Sequence, residues 1–330
     1  MKINYKSRYI SQNINIKKLR PGNSYGSLVK NKNKSFSFLL KKNQRIKKKL
    51  KLRNCPNCKS HNYKKILLKD KLKIVKCAKC ELIYVNPIFN FEDYFNTYKS
   101  KNYQKIMKSL GEKSHLYRLN RFGKERYEYL KKKVLKKKIN LLDVGCSTGF
   151  FIEYANSKGW KCEGLELNPS AAIFGEKRKL KIFQKTLEEH KPKKKYDIVT
   201  MFDVLEHLPN PGQEINVVKK ILNNKGLLYV YVPNWQSATR ILMGEKNSHF
   251  IWPTHHLTYF TPNTLINFFS RRGFNILDWE TQGLDLYDYK WFLDNKNKKN
   301  NFTKKQIDIL QFYINSSGHG KNLRMLFQKR

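Results

Sequence analysis

The second half of the chain alternates between short apolar runs and amphipathic segments. Apolar runs of strand length occupy residues 140–144, 161–165 and 195–201, and a segment with helical spacing follows the first of them. A strand–helix–strand succession forms parallel strand pairs, so the pattern predicts a parallel sheet with helices on both faces. We assign this α/β domain to residues 138–330.

The same pattern continues toward the C-terminus. A fifth strand is predicted at 227–232, and Thr261 followed by Pro262 is a typical helix start, with the threonine as N-cap. A sixth strand is predicted at 274–280. Residues 284–318 are predicted to be a partly helical insertion before the last strand.

Residues 1–53 show a different pattern. They have little helical or strand periodicity, no acidic residue occurs before Asp70, and lysines cluster, as at 47–49. Repulsion between like charges, with few large apolar groups to bury, predicts a mostly disordered basic arm. Such an arm is expected to attract anions or nucleic acid weakly.

The charge of the whole chain is strongly positive. With 68 basic and 25 acidic residues, the formal net charge is +43. One interpretation is a polyanionic partner such as RNA, an anionic lipid surface or a phosphorylated substrate. The other is a general enrichment in Lys and Asn, as an AT-rich genome imposes. Both interpretations remain open from composition alone.

Hydropathy and cysteine usage limit the cellular setting. The chain contains no run of eighteen apolar residues and does not start with a secretory signal, so no membrane span is expected. Four of its six cysteines form two close pairs, which fits metal-bound thiolates in a reducing compartment better than disulfides. We therefore expect a cytoplasmic protein.

The paired cysteines have the spacing of a zinc ribbon. Cys55 and Cys58 are separated by eighteen residues from Cys77 and Cys80, and two short strands of a hairpin are predicted between the pairs. Each pair can hold one ion from a tight turn, and four thiolates complete a closed tetrahedron. The sequence thus predicts a structural Zn²⁺ in a ribbon at residues 54–87.

The loop after the first α/β strand has the chemistry of a ligand-binding turn. Asp143 is the last residue but one of the strand, and Gly145 to Gly149 form a short glycine-containing turn before a helix. Such a turn lets a ligand approach the backbone closely. Glu166 follows the second strand, where a carboxylate can accept hydrogen bonds from both hydroxyls of a ribose.

Two motifs resemble those of one enzyme class. The segment from Leu141 to Gly149, with Ser147 where glycine is usual, and the segment from Asp203 to Leu208 are similar to motifs of class I S-adenosylmethionine-dependent methyltransferases. Within that class the chain resembles the group that includes ubiquinone-biosynthesis O-methyltransferases and many methyltransferases of surface-polysaccharide gene clusters. The resemblance covers roughly residues 139–282 and the last strand.

The resemblance implies a Rossmann-like α/β fold with a seven-stranded sheet, whose last strand is antiparallel between the fifth and sixth. It also implies S-adenosylmethionine as cofactor. Residues 88–137 would form a helical connector or lid, some of whose aromatic side chains (Tyr94, Phe95, Tyr98, Tyr103) could line the cofactor mouth. The residues implied in cofactor binding are Asp143, Gly145, Ser147, Gly149, Glu166, Leu167, Thr186, Leu187, Phe202 and Asp203.

The acceptor is less well specified. Transfer to oxygen often needs a base, and His255 or His256, in the region of the family's substrate loop, are the candidate catalytic residues. Either histidine could instead cap a helix or pack on Trp252. In quinone-type relatives, positions matching Asp203, Glu206 and His207 have been linked to a metal, although a structural role for Glu206 and His207 is the simpler expectation.

Three functional hypotheses follow. The favoured one is methylation, on oxygen, of a small-molecule or glycan acceptor such as a sugar, a lipid-linked sugar or a quinone-like compound. The second is an RNA methyltransferase, for which the basic arm would be suited, although an Asn-Pro-Pro-Tyr-type motif is missing. The third is a binding protein without activity on the same scaffold, which the glycine turn and Glu166 disfavour.

Overall fold

The computed structural model describes residues 14–22, 26, 27, 29 and 50–330, without the side chains of residues 98, 99, 102, 106, 107, 109 and 110. It begins with a four-residue helix, α1 (Ile16–Leu19), inside the segment expected to be disordered. Leu19 is buried, and Arg20 forms an ion pair of 2.8 Å with Asp288. One buried leucine and one ion pair therefore hold residues 14–22 to the core, and the mostly disordered arm stays a prediction. Most of the rest of residues 1–53 lies outside the described residues.

The predicted ribbon contains a hairpin and a third strand. Strands β1 (Tyr63–Lys69), β2 (Leu72–Cys77) and β3 (Ile83–Val85) form an antiparallel sheet. A two-residue turn, Asp70 and Lys71, connects the first two strands, and both of its residues have positive φ. The sequence pattern predicts strands at 63–68 and 72–76, and both observed strands agree with these bounds to within one residue.

The connector is helical. It consists of α2 (Phe91–Lys99), α3 (Lys101–Arg118) and α4 (Lys124–Lys131). A π-helical turn, Leu119–Gly123, joins α3 to α4 without a break. Asn90 and Ser100 cap α2 and α3, each accepting a hydrogen bond from a backbone N–H of the first turn.

A seven-stranded sheet forms the centre of the α/β domain. The strands of the domain are β4 (Asn140–Val144), β5 (Lys161–Leu165), β6 (Ile182–Phe183), β7 (Tyr196–Phe202), β8 (Leu222–Pro233), the short separate β9 (Thr258–Tyr259), β10 (Phe274–Gln282) and β11 (Asn322–Lys329). The order in the sheet is β10-β11-β8-β7-β4-β5-β6, and all neighbours are parallel except β11, which is antiparallel to both β8 and β10. This order confirms the predicted fold class and the predicted place of the last strand.

Helices cover the sheet where the sequence pattern predicts them. The helices are α5 (Phe150–Ser157), α6 (Pro169–Lys177), α7 (Pro211–Ile221), α8 (Ala238–Asn247), α9 (Pro262–Ser270), α10 (Asp285–Asp294) and α11 (Lys304–Ser316). Thr261 caps α9 in a capping box, with Pro262 as the first residue of the helix, as expected. The predicted insertion contains the two helices α10 and α11. No helix of the described residues is long and apolar enough to cross a bilayer.

The ribbon and the α/β domain share one core. Strand β3 pairs with β9, and the buried side chains of Cys55, Val75 and Tyr84 belong to the same apolar cluster as Phe260 and Phe268. Arg53 adds polar contacts, donating hydrogen bonds to the carbonyl oxygens of Val85, Pro209 and Leu257. The segment 54–87 is therefore not packed as a separate body.

Candidate functional site

A first cavity, of about 320 Å³, lies at the carboxyl ends of β4, β5 and β7. The strand order reverses between β4 and β7, because the chain proceeds outward through β5 on one side and through β8 on the other. In open α/β sheets, ligands bind outside the carboxyl strand ends at such a reversal. The glycine turn after β4 and the residues after β5 and β7 line this cavity.

The glycine turn brings its backbone to the cavity wall. Gly145 has φ of 71°, and a Cβ there would lie 2.4 Å from the side chain of Val204, so no larger residue fits without rearrangement. Ser147, where the resembling family has glycine, has φ of 53°, a left-handed conformation that is unfavourable for serine. Ser147 keeps it while donating its backbone N–H to Glu166 Oε2 at 2.8 Å.

Glu166 connects the turn to the second strand end. Its other oxygen, Oε1, accepts the backbone N–H of Asn168 at 2.7 Å. Burial raises the pKa of Glu166, while these two backbone hydrogen bonds favour its charged form. A carboxylate has about four acceptor positions, so the two backbone contacts leave capacity for ligand hydroxyls.

Asp143, at the end of β4, is almost completely buried. Its Oδ1 accepts a hydrogen bond of 2.6 Å from the hydroxyl of Thr200. Burial raises its pKa to about 7, an effect that the Thr200 hydrogen bond and the charge of Arg126 reduce. Asp143 therefore places a carboxyl group at the floor of the cavity, close to a guanidinium.

The structure brings nearly all the predicted cofactor residues together. Gly149 is the exception, since it lies outside the lining, and a Cβ there would lie 2.6 Å from Leu180 in the contact between α5 and the sheet. Of the connector aromatics, Tyr94, Phe95 and Tyr103 line the cavity. The side chain of Tyr98 lies outside the described part of the chain. The predicted residues that line the cavity are Asp143, Gly145, Ser147, Glu166, Leu167, Thr186, Leu187, Phe202 and Asp203.

A second cavity, of about 360 Å³, adjoins the first. Three residues line both cavities and so form their common wall: Arg118, Arg126 and Asp203. The remaining lining comes from distant parts of the chain, including Leu19 and Arg20 of the N-terminal segment and Lys321 before β11. Two adjoining cavities with a shared wall suit a reaction between two bound molecules.

Asp203 occupies the common wall in an unusual conformation. Its φ is 56°, and its carboxylate has no hydrogen-bond partner among the described residues. Burial raises its pKa to about 6, with Arg126, Arg118 and Lys321 acting in the opposite direction. Although the protein surrounds it, the side chain is exposed to the cavities. Strained polar residues of this kind are frequent at functional sites.

Arg118 and Arg126 reach the common wall because of the π turn between them. In a regular α-helix, residues eight positions apart point about 80° away from each other, and residues seven apart only about 20°. A π turn accommodates about one extra residue, so it brings two side chains eight positions apart onto one face. Arg126 stacks on the ring of Phe202 at 3.8 Å.

The two candidate catalytic histidines are placed differently. His255 is buried, stacks on Trp252 with ring centroids 3.8 Å apart, and is not among the residues that line either cavity. His256 lines the second cavity, and its Nδ1 donates to the carbonyl oxygen of Phe250 at 2.6 Å. The structure therefore brings one of the two to the site.

His256 belongs to a cluster with Glu206 and His207, whose ligand atoms all lie within 4.8 Å of one another. His207 Nδ1 donates to the carbonyl oxygen of His255, and burial lowers its pKa to about 4, so Nε2 of the neutral ring keeps its lone pair. Both carboxylate oxygens of Glu206 are buried without a hydrogen-bond partner among the described residues. Two imidazoles and one carboxylate in this arrangement fit a divalent cation.

The four predicted zinc ligands also meet. Their sulfur atoms lie within 4.8 Å of one another, with Sγ–Sγ distances of 3.5 Å for Cys55–Cys80 and Cys58–Cys77. A Zn–S bond of about 2.3 Å in a tetrahedron requires sulfurs about 3.8 Å apart.

The turns that present the cysteines match each other. In the first, the backbone N–H of Lys59, with φ of 62°, donates to the carbonyl oxygen of Cys55. In the second, Glu81, with φ of 61°, donates to Cys77 in the same way. These residues fit a four-thiolate zinc site.

Comparison with known proteins agrees with this geometry. Residues 115–278 match the family described as "Methyltransferase domain". The ubiquinone biosynthesis O-methyltransferase of Pelagibacter ubique is 25% identical over 208 residues, which are 56% of this chain and 87% of that protein. The chain belongs to the class I S-adenosylmethionine-dependent methyltransferases. The enzyme of the same name from Rickettsia typhi is 29% identical over 226 residues, 62% of this methyltransferase and 90% of its relative. A solved S-adenosylmethionine-dependent methyltransferase from Clostridium acetobutylicum is 13% identical, covers 63% of this chain and 90% of its own, and has a TM-score of 0.43.

The methyltransferase thus uses S-adenosylmethionine, and the first cavity fits it. Sequence reasoning missed the arginines of the common wall and the N-terminal residues of the second cavity. One signal was present: only 13 of the 68 basic residues are arginines, yet Arg118, Arg121 and Arg126 fall within nine positions. Where a chain otherwise uses lysine, arginine suggests a need for a planar, multidentate donor.

Proposed function

We propose that this methyltransferase transfers a methyl group to a hydroxyl oxygen of a small acceptor bound in the second cavity. The observation that supports this most directly is the common wall, where Asp203 faces both cavities. The relatives from Pelagibacter ubique and Rickettsia typhi are named as O-methyltransferases of ubiquinone biosynthesis. A quinone-like ring or a sugar has a size suited to a cavity of about 360 Å³.

The first cavity would hold the cofactor through groups already in position. Glu166 would accept hydrogen bonds from the ribose hydroxyls, and Leu167, Thr186 and Leu187 would surround the adenine. The backbone at Gly145 and the guanidinium of Arg126, which lies close enough to Asp143 to lower its pKa, would face the amino-acid end. An arginine pairs well with a carboxylate there.

When bound, S-adenosylmethionine would supply a methyl group carried on a sulfonium. A lone pair of the acceptor oxygen would form the new C–O bond, while the C–S bond breaks and its electron pair passes to sulfur. The hydroxyl proton would go to a base. The protein's task is to align the hydroxyl, exclude water and accept that proton. Asp203 is the better-placed proton acceptor, because it lines both cavities, whereas His256 lines only the second. His255 is left with a packing role against Trp252.

We also propose that Cys55, Cys58, Cys77 and Cys80 hold one structural Zn²⁺. Four thiolates leave no open coordination position, so this ion would stabilise the fold without entering the reaction. The shared core means that it would stabilise the contact of residues 54–87 with β9 and α9 as well as the ribbon itself.

Transfer of a radiolabelled methyl group from S-adenosylmethionine tests the proposed function. Catechols and sugars serve as acceptors, and transfer to oxygen is verified by mass spectrometry. Asp203→Asn should lower kcat by about a hundredfold or more while cofactor affinity changes little. Asp294→Asn, an exposed position on α10, is the matched control. Transfer to RNA but to none of the small acceptors would contradict the proposal.

A further inference from the structure

The described lining of the second cavity is strongly cationic. It contains five cationic side chains and a single carboxylate, that of Asp203. A cavity with this balance favours anions, and its low-dielectric walls strengthen the attraction relative to open solvent. The cationic side chains are Arg20, Arg118, Arg126, Lys321 and Arg324.

Three of these charges are compensated by acids behind the wall. The fully buried Asp288 accepts Lys321 at 2.5 Å and Arg20 at 2.8 Å. Arg324 is paired with Glu125, which also pairs with Arg121. These ion pairs fix the three cationic side chains in place, and the paired carboxylates neutralise their charge.

Arg118 and Arg126 have no such direct ion pair, although both interact with the charge of Asp203. Neither guanidinium lies within 4 Å of a carboxylate of the described residues. Arg126 stacks on Phe202 and lies beside Asp143, on the side of the first cavity, which suits the carboxylate of the cofactor.

Arg118 remains. Its Nε donates to Ser114 at 2.7 Å, and its two terminal nitrogens have no hydrogen-bond partner among the described residues. Burial lowers the pKa of Arg118 to about 10, with Arg126 and Arg20 acting in the same direction and the charge of Asp203 in the opposite one. The guanidinium is half-buried, and an anion or several acceptors at its terminal nitrogens would stabilise it there.

We propose that the acceptor of this methyltransferase is an anion whose acidic group, a carboxylate or a phosphate, binds the terminal nitrogens of Arg118 in the second cavity. This rests on the proposed function. The free edge of a guanidinium matches the paired oxygens of either group. The acidic group thereby orients the acceptor, whose hydroxyl must reach Asp203 in the same wall. Specificity would then come from the spacing between acid and hydroxyl.

Matched pairs of acceptors test the proposal on the whole chain loaded with S-adenosylhomocysteine. 3,4-Dihydroxybenzoate is compared with its neutral amide, and glucose 1-phosphate with methyl glucoside, by calorimetry. One anion is expected to bind about tenfold or more tightly than its neutral partner. The pair that shows the preference tells whether a carboxylate or a phosphate is recognised.

Arg118→Gln should abolish the preference and leave the affinity for S-adenosylhomocysteine within about twofold. Arg271→Gln, at an exposed arginine that follows the last residue of α9 and lines neither cavity, should change neither.

Two results would overturn the proposal. One is equal binding of both members of both pairs. The other is an Arg118→Gln variant that binds S-adenosylhomocysteine about tenfold more weakly and keeps the anion preference, which would assign Arg118 to the cofactor.

Methyl transfer measured on the same compounds separates this proposal from the function on which it rests. Equal transfer to neutral and anionic acceptors leaves the proposed function intact and refutes the anionic acceptor, whereas tight anion binding without any transfer refutes the proposed function.

Discussion

Single residues at this site hold the protein and would hold its ligands at the same time. Glu166 uses one oxygen for Ser147 and the other for Asn168, so it closes the glycine turn against the second strand end before any ligand binds. Such preorganisation reduces the ordering that binding would otherwise require. A change at Glu166 therefore acts on the turn and on the ribose contact together.

Glu166→Gln should weaken cofactor binding. An amide has only one oxygen, so it cannot accept both backbone N–H groups and also a ribose hydroxyl. We expect a loss of about 1.4–3 kcal/mol, or roughly tenfold to a hundredfold in affinity, by calorimetry with S-adenosylhomocysteine. Glu163→Gln, on the strand that precedes Glu166 but bound to Tyr196 and Lys181, should bind normally. Unchanged affinity in Glu166→Gln would remove this residue from the site.

The rate of methyl transfer should depend on the ionisation of Asp203. Its pKa is raised to about 6, chiefly by burial, and a proton acceptor works only when deprotonated. Activity should consequently fall as the pH drops through about 6 and stay level above it. Arg118→Gln removes a cation that lowers this pKa, so the acidic limb should move to higher pH. A wild-type profile without an acidic limb in this range would argue against Asp203.

At the scale of elements, the connector determines how the two cavities meet. Helices α3 and α4 would form one regular helix if the π turn were absent. The turn sets the register that puts Arg118 and Arg126 in the same wall. Its close contact with α5, where a Cβ on Gly123 would lie 3.0 Å from the carbonyl oxygen of Phe150, holds that register against the domain.

Changing the length of this turn by one residue in either direction should have opposite consequences. Deleting the exposed Asn120 restores a regular helix with the arginines seven positions apart, so activity should remain within a few-fold of wild type. Inserting one alanine after Asn120 rotates α3 by about 100° and should lower activity by about a hundredfold. Asn120→Ala serves as control, with melting curves to verify folding. Similar losses in both length variants would refute the register argument.

At the scale of the whole molecule, three separate parts of the chain form one structural unit. Residues 14–22 contribute to the second cavity, residues 54–87 pack on β9 and α9, and the α/β domain supplies the strand ends. The described segments before residue 138 are therefore structural parts of the catalytic unit. Their loss should affect distinct properties.

Removal of the N-terminal segment should act on the acceptor alone. A chain that begins at residue 23 lacks Leu19 and Arg20, which line the second cavity, but nothing that lines the first. We expect the KM for the acceptor to rise about tenfold, with unchanged affinity for S-adenosylhomocysteine. A chain that begins at Ile14 is the control. If cofactor affinity fell equally, the segment would instead stabilise the whole site.

Zinc removal should destabilise the whole enzyme. We expect about one zinc ion per chain by elemental analysis, and a single melting transition that shifts down when a chelator removes the ion, because the ribbon and the sheet share one core. Cys58→Ser should lose the metal, whereas Cys162→Ala, a buried cysteine outside the cluster, should keep it. Active, folded protein that contains no zinc would contradict the assignment.

The sequence by itself determined those features that are encoded within short segments. Alternating strand and helix periods predicted the α/β sheet, and the ends of β4 and β5 agree with the pattern to the residue. The two cysteine pairs predicted a ligand set that the fold brings together. The cofactor residues of the first cavity that come from the sheet domain could also be predicted, because most lie at or after a strand end and parallel strands end at one edge of the sheet.

Only the tertiary structure decided the second cavity and its chemistry. Arg20, Arg118, Asp203 and Lys321 are far apart in the chain and have no common motif, and α1 is too short to form without the core that buries Leu19. The two adjacent histidines were equivalent in the sequence, yet packing turned His255 onto Trp252 and His256 toward the second cavity. Local patterns specify what each segment can form, whereas the acceptor site depends on which segments meet, and that is set by burial across the whole chain.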